Sequence, residues 1–183
     1  MINNKSLNYW GKISKNLITW HKPFKNIFNN DNFLWFEDGK LNLYENLILR
    51  NSKDKIAITC IEKNNKIKSF TFGQVHELVL ILESNLEYHL KNKNNLRVMI
   101  QASASIESAV SMLMCMKNGF HFCVLFEDLE LAAIEKRIKL FKPNIYLARN
   151  QKGSKIKQKG LKFFKLKENL IKKKKNYKQR KLK

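Results

Sequence analysis

The sequence predicts an α/β fold: an N-terminal helical, aromatic-rich segment, a β-hairpin, and βαβ units that form part of a mostly parallel sheet. Three observations predict it. Trp10, Trp20 and Trp35, all the tryptophans of the chain, fall in its opening segment. Each indole buries a large area and seeks a partner for its N–H, so this segment is built to pack. From residue 56 onward, short β-rich runs alternate with helical stripes of ten to eighteen residues, the pattern of βαβ crossovers. The 183 residues and their 44% apolar content suffice for a real core and argue against wholesale disorder.

The elements follow in order. Residues 7–19 read as an amphipathic helix with Ser6 as N-cap and Tyr9 or Trp10, Ile13 and Leu17 on one face. Pro23 ends it and opens an irregular, aromatic-rich connection through Phe36. Asp38-Gly39 is a turn signal, and residues 41–50 suit a short helix. Residues 56–61 are β-rich, and Lys63 to Lys66 make a hairpin turn into a second strand at 69–72. Thr71 and Gln74 have the spacing of a capping box. Val75, Leu78, Val79, Leu82 and Leu86 then give the stripe of a helix lying on a sheet. Residues 96–100 follow as a strand, and 105–117 as a helix apolar nearly all round. Burial explains that helix, with Met112, Met114 and Met116 as core residues. A strand at 122–126, a helix at 129–141 and, after Pro143, a last strand at 145–147 complete the periodic part. Residues 156–170 alternate basic and apolar side chains, and 171–183 form a lysine run expected to be solvated and disordered.

The net charge is +21, but residues 149–183 hold sixteen Lys/Arg against the single acid Glu168. Lysine outnumbers arginine 31 to 5. Proteins that read bases or fork onto phosphates draw on arginine, so the excess argues against a specific nucleic-acid partner. Cys60, Cys115 and Cys123 show no CxxC spacing, and His21, His76, His89 and His121 are isolated. Structural or surface roles are expected for all of them, with no metal site. No stretch reaches the ~20 apolar residues that span a bilayer. The N-terminus lacks an apolar signal core, so no membrane partner and a reduced, cytoplasmic setting are expected.

Certain motifs carry more. Tyr9-Trp10, then Thr19-Trp20-His21-Lys22-Pro23-Phe24, then Trp35-Phe36 with Gly39-Lys40-Leu41-Asn42 and Asn46, stand in a distinctive order. Phe70-Thr71-Phe72 with Gln74 and His76-Glu77, Arg97-Val98, and Glu107 through Cys115 with Gly119 continue it. Over about residues 9–155 the chain resembles the N-terminal part of the AMP-forming acetyl-CoA and propionyl-CoA synthetases. The resemblance implies three parts: an N-terminal segment at 1–52, a partial AMP-binding (adenylation) domain at 53–150, and a basic tail at 151–183. It implies that the tryptophans are packing anchors. For the complete family enzyme it also implies acetate or propionate, ATP, Mg and coenzyme A as small-molecule partners.

Lys152-Gly153-Ser154-Lys155 falls where the family has an Arg-Gly-Gly-Lys segment, so the resemblance implies contact with coenzyme A phosphates. Two cations flanking a flexible backbone are chemically suited to that. The chain departs from the family elsewhere. Ser103 and Ile106 stand where the family has prolines, and Glu127-Asp128 follow Phe126 where it has paired glycines. Glycine permits close backbone approach or positive φ, which Glu and Asp supply poorly, so that loop is expected to be altered.

The family's adenylation needs a small-residue loop whose backbone N–H groups converge on ATP phosphates. The longest small-residue run here, Ala102-Ser103-Ala104-Ser105, has no glycine. The expectation is a truncated ligase, inactive alone, with no catalytic, ATP-binding or metal residues and no cofactor of its own. Two alternatives remain: one piece of a split acyl-CoA ligase completed by a complementing fragment, or a basic module binding nucleic acid or an anionic surface by counterion release.

Overall fold

A computed structural model describes residues 3–61, 65–90, 95–150, 155–156 and 158–166. The chain divides into two compact units, Met1–Asn51 and Ser52–Lys183.

The first unit opens with helix α1, Asn4–Leu17. Its N-cap is Asn3, whose side-chain oxygen accepts from the Ser6 amide at 2.8 Å. The cap therefore lies three residues before the expected Ser6. The anchoring face also differs from the predicted one: Gly11 and Ser14 are buried, while Tyr9, Trp10 and Leu17 are exposed. The cause is close approach. A Cβ on Gly11 would lie 2.5 Å from Ile27 Cδ1, so a larger residue would require that side chain to shift away from the helix.

Strands β1 (Asn26–Asn29) and β2 (Leu34–Glu37) pair antiparallel where an irregular connection was expected. Their turn is held by asparagine side chains: Asn29 Oδ1 accepts from the Asp31 amide and Asn32 Oδ1 from the Leu34 amide. Glu37 in turn accepts from Asn26, Asn29 and Asn32. Of the tryptophans expected to be packing anchors, Trp20 is half-buried, whereas Trp10 and Trp35 are exposed. Trp20 donates its indole N–H to the Ser14 carbonyl at 3.0 Å and packs edge-on to Phe24 at 5.2 Å. Trp35 stacks on Phe28 and meets Trp10 edge-on. The Asp38-Gly39 turn is present, and a Cβ on Gly39 would sit 2.6 Å from the Trp20 ring. The short helix ends in a π-helical turn, Glu45–Leu49, with Tyr44 and Ile48 buried.

The second unit begins with hairpin strands β3 (Ile56–Ile61) and β4 (Ile67–Thr71), paired antiparallel as predicted. Part of their turn lies outside the described residues. Helix α2 (Phe72–Leu90) opens on the predicted capping box. The Thr71 amide donates to Gln74 Oε1 at 2.9 Å, and the Gln74 amide to Thr71 Oγ1 at 3.2 Å. Of the predicted stripe, Val75, Val79, Leu82 and Leu86 are buried and Leu78 is half-buried; Ile81 is buried as well.

Strand β5 (Arg97–Gln101), helix α3 (Ile106–Asn118), strand β6 (His121–Leu125), helix α4 (Leu131–Phe141) and strand β7 (Ile145–Ala148) follow as the alternation requires. Ser105 caps α3, and Gly119 ends it in the left-handed region at φ 66°. Of the three methionines, Met114 is fully buried and Met112 and Met116 are half-buried. Phe126, expected in the strand, lies beyond β6 and is 84% exposed.

Strand β7 is not the last. Strand β8 (Lys162–Lys165) pairs parallel with it, and Leu166 beyond is fully buried. Within the stretch read as a basic tail, residues 162–166 therefore belong to the sheet. All four strands are parallel, in the order β6-β5-β7-β8. The central strands β5 and β7 are apolar and almost wholly buried, as a parallel sheet covered on both faces demands. On one face Ile134 and Ile138 of α4 pack with Met99, Tyr146 and Leu125. On the other, His89 of α2 meets Phe164 of β8 at 4.8 Å.

Candidate functional site

Parallel strands bring all their carboxyl ends to one edge. From β5 the chain first crosses to β6 on one side, then returns to β7 on the other. The loops leaving β5 and β7 diverge at such a switch point and open a crevice, where open α/β sheets bind ligands. A cleft of about 880 Å³ lies at this edge, lined by Ala102, Ser103 and Ala104 after β5, Glu127 and Asp128 after β6, and Arg149 after β7. Its volume falls within the range of small-molecule sites.

One buried amide organises the cleft floor. Gln101, the last residue of β5, is fully buried and uses every polar atom of its side chain. Its Nε2 donates to the Phe126 and Glu127 carbonyls, both at 3.1 Å, and its Oε1 accepts from the Tyr146 hydroxyl. Burial pushes the Tyr146 hydroxyl up to about 12, so it stays a protonated donor through the physiological range. Asn150 Nδ2 donates to the same Glu127 carbonyl at 2.7 Å. The lip is tied as well. The Ser103 amide donates to Glu127 Oε2 at 3.1 Å, and Arg149 Nη1 donates to Ser103 Oγ at 3.1 Å.

These contacts join two of the departures noted in the sequence. Proline at 103 would have no N–H to give, and glycine at 127 no carboxylate to receive it. Ser103 and Glu127 thus compensate one another across the cleft. The backbone accommodates the exchange: among the described residues, positive φ occurs at neither Glu127 nor Asp128. The lip therefore presents carboxylate side chains where paired glycines would present bare backbone. Ile106 stands at the first position of α3, where proline is favoured but never required.

The described cleft suits phosphate poorly. Two carboxylates line it, and its one lining cation, Arg149, already donates to Ser103. At the end of the small-residue run, Ser105 Oγ accepts from the Ser108 amide and so caps α3. Among the residues that line it, the cleft thus offers no surplus of positive charge to a phosphate group. Of the predicted phosphate contacts, Lys152, Gly153 and Ser154 lie outside the described residues, and Lys155 is exposed.

The histidines are dispersed. His21 pairs with Glu45 at 2.5 Å, His89 meets Tyr88 and Phe164 edge-on, and His121 is exposed. Burial, and then Lys117 and Lys53, lower the pKa of half-buried His76. Among the described residues no group of three or more acidic, His or Cys side chains could hold a metal ion. No described helix is long and apolar enough to cross a membrane. Gln101 escaped the sequence reading, although a lone amide closing the apolar run Val98-Met99-Ile100 was its visible signal.

Comparison with known proteins gives four findings. Residues 2–47 match the family described as acetyl-coenzyme A synthetase N-terminus. Acetyl-coenzyme A synthetase of Helicobacter acinonychis (strain Sheeba) is 32% identical over 137 residues, 72% of this chain and 21% of that protein. The Ralstonia pickettii (strain 12J) synthetase is 30% identical over 137 residues, 71% of this chain and 21% of its own length. The chain thus spans about a fifth of these relatives. In structure it is similar to acetoacetyl-CoA synthetase from Streptomyces lividans, with a TM-score of 0.70 at 14% identity, covering 79% of this chain and 23% of that one.

Proposed function

We propose that this chain, homologous to the N-terminal region of the AMP-forming acetyl-CoA synthetases, supplies the N-terminal segment and first βαβ units of an acetate– or propionate–CoA ligase. We propose further that these 183 residues do not form the acyl adenylate by themselves. The observation that carries the first part is the run of matched motifs from the tryptophan segment into the sheet. The second part rests on composition: no segment of the sequence has the glycine-rich character that a phosphate cradle needs.

Within such a ligase the chain's own residues would act as scaffold. The Gln101–Tyr146 pair fixes the cleft floor, and the Ser103–Glu127–Arg149 contacts fix its lip. Lys152, Gly153, Ser154 and Lys155 remain the candidates for a coenzyme A phosphate contact.

A specific observation favours completion by a second polypeptide. Edge strand β6 and the residue beyond it, His121 to Phe126, carry no formally charged side chain, with Val124 45% and Phe126 84% exposed. Uncharged edges of this kind invite pairing with another strand. The test is acetate- or propionate-dependent ATP–pyrophosphate exchange by the purified chain. No exchange is expected, and turnover above a heat-denatured control would overturn the proposal that the chain is inactive alone.

A further inference from the structure

The two edges of the parallel sheet differ in their charges, although Arg149 and Lys165 stand at the carboxyl one. The acids Glu127, Asp128 and Glu130 follow β6 at the carboxyl edge of the sheet, whereas the amino edge carries cations. Arg97 opens β5, Lys142 ends α4 just before β7, and Lys162 opens β8. The parallel register, with Val98 opposite Ile145 and Ile145 opposite Lys162, brings these starts together.

A second cleft, of about 490 Å³, lies at this edge between the end of α4 and the approach to β8. It is lined by Lys139, Lys142, Asn144, Gln158, Lys159 and Gly160, with Pro143 beneath and no carboxylate. The Asn144 amide is oriented: its Oδ1 accepts from the Arg97 amide at 2.9 Å, which leaves its NH₂ as the available donor. Gly160 has φ +82°, and a Cβ there would meet nothing within 4 Å, so this wall of the cleft is open backbone. Lys139 and Lys142 complement the α4 dipole, which is reason enough for two cations at a helix C-terminus. That reason does not extend to Lys159, which belongs to another segment and faces the same space.

We propose that this amino-edge cleft binds the phosphate groups of a small oligophosphate-bearing anion. Three ammonium groups without a competing carboxylate, and an oriented amide NH₂, form the donor set that a chain of phosphate oxygens satisfies. The site lies at the opposite end of the strands from the cleft at the switch point and does not depend on the ligase reading.

The test uses the full chain, labelled with ¹⁵N, titrated with inorganic tripolyphosphate at low salt. Saturable shifts at the Asn144, Lys159 and Gly160 amides are expected. The variant Lys139→Gln/Lys142→Gln/Lys159→Gln should bind at least ~10-fold more weakly, through loss of charge-assisted contacts. A charge control on α1, Lys12→Gln/Lys15→Gln, should bind as the parent does. Equal weakening in both variants, or shifts that avoid the cleft, would overturn the proposal in favour of diffuse attraction to the lysine-rich sequence. A short DNA duplex that shifts these amides where tripolyphosphate does not would overturn it in favour of a nucleic-acid surface.

Discussion

Ser103 and Glu127 stand twenty-four positions apart and are joined by a hydrogen bond, so their contact should appear as coupling energy. Three variants test it: Ser103→Pro, which removes the amide donor; Glu127→Gly, which removes the acceptor; and the two combined. The amide lies 3.1 Å from Glu127 Oε2. A hydrogen bond to a charged group is worth about 1.5–3 kcal/mol net. Glu127 is half-exposed, and solvent screening brings the expected value to about 1 kcal/mol. Any strain that proline imposes enters both backgrounds and cancels in the cycle. Urea unfolding followed by circular dichroism, with m near 2 kcal/mol per molar, should then show the combined variant unfolding about 0.5 M later than additivity predicts. Ser103→Ala, which keeps the N–H and loses only the Oγ acceptor of Arg149, should combine additively with Glu127→Gly. Additivity in the proline cycle within about 0.3 kcal/mol, or equal coupling from the alanine variant, would refute the compensation.

Other consequences follow from single contacts. Tyr146→Phe strands the buried Gln101 Oε1 and should cost about 1–3 kcal/mol in the same unfolding experiment, with m unchanged. Gly39→Ala forces a Cβ within 2.6 Å of the Trp20 ring and 2.9 Å of the Phe36 carbonyl. It should destabilise the first unit by about 1–3 kcal/mol and shift the tryptophan emission of the native state. Burial pushes the Cys115 thiol up to about 12, whereas Cys60 and Cys123 are half-buried. Native protein should therefore leave Cys115 unmodified by a thiol-specific disulfide reagent until unfolded, and rapid labelling of Cys115 would contradict its packing. Asn29, Asn32 and Asn26 lower the Glu37 pKa by donating to its carboxylate. A depressed folded pKa gives stability that is present above the ordinary value of 4.5 and lost as pH falls through the folded one. Glu37→Gln should flatten the acid limb of the first unit's stability profile, measured by tryptophan fluorescence.

Local chemistry made much of the fold legible. The Thr71–Gln74 capping box is decided within a few residues and stands where the sequence places it, and the Ser105 cap and the Gly119 stop seen in the structure are equally local. The alternation of strands and helices gave the parallel sheet for the same reason. What stayed hidden depends on distant partners. Strand β8 is a lysine–phenylalanine stretch that becomes a strand only because β7 offers a parallel edge, so lysine content masked it. The β1–β2 hairpin has strands of four residues with no clear alternation, and asparagine side chains, more than apolar pattern, set its turn. The buried face of α1 is hidden from its pattern because it is lined by the small residues Gly11 and Ser14, with Ile27 close against Gly11. At the candidate site the sequence marked Ser103 and Glu127 as separate departures. Their contact, and the Gln101 amide beneath them, appear only once the strand order brings three loop starts to one edge.

The most direct test of the central claim is a chimera in which residues 2–150 of this chain replace the matching region of the Helicobacter acinonychis acetyl-CoA synthetase. If this chain is the N-terminal scaffold of such a ligase, the chimera should catalyse acetate-dependent ATP–pyrophosphate exchange, with a raised KM for coenzyme A in the complete reaction. A chimera that folds cooperatively yet shows no acetate-dependent exchange would contradict the account.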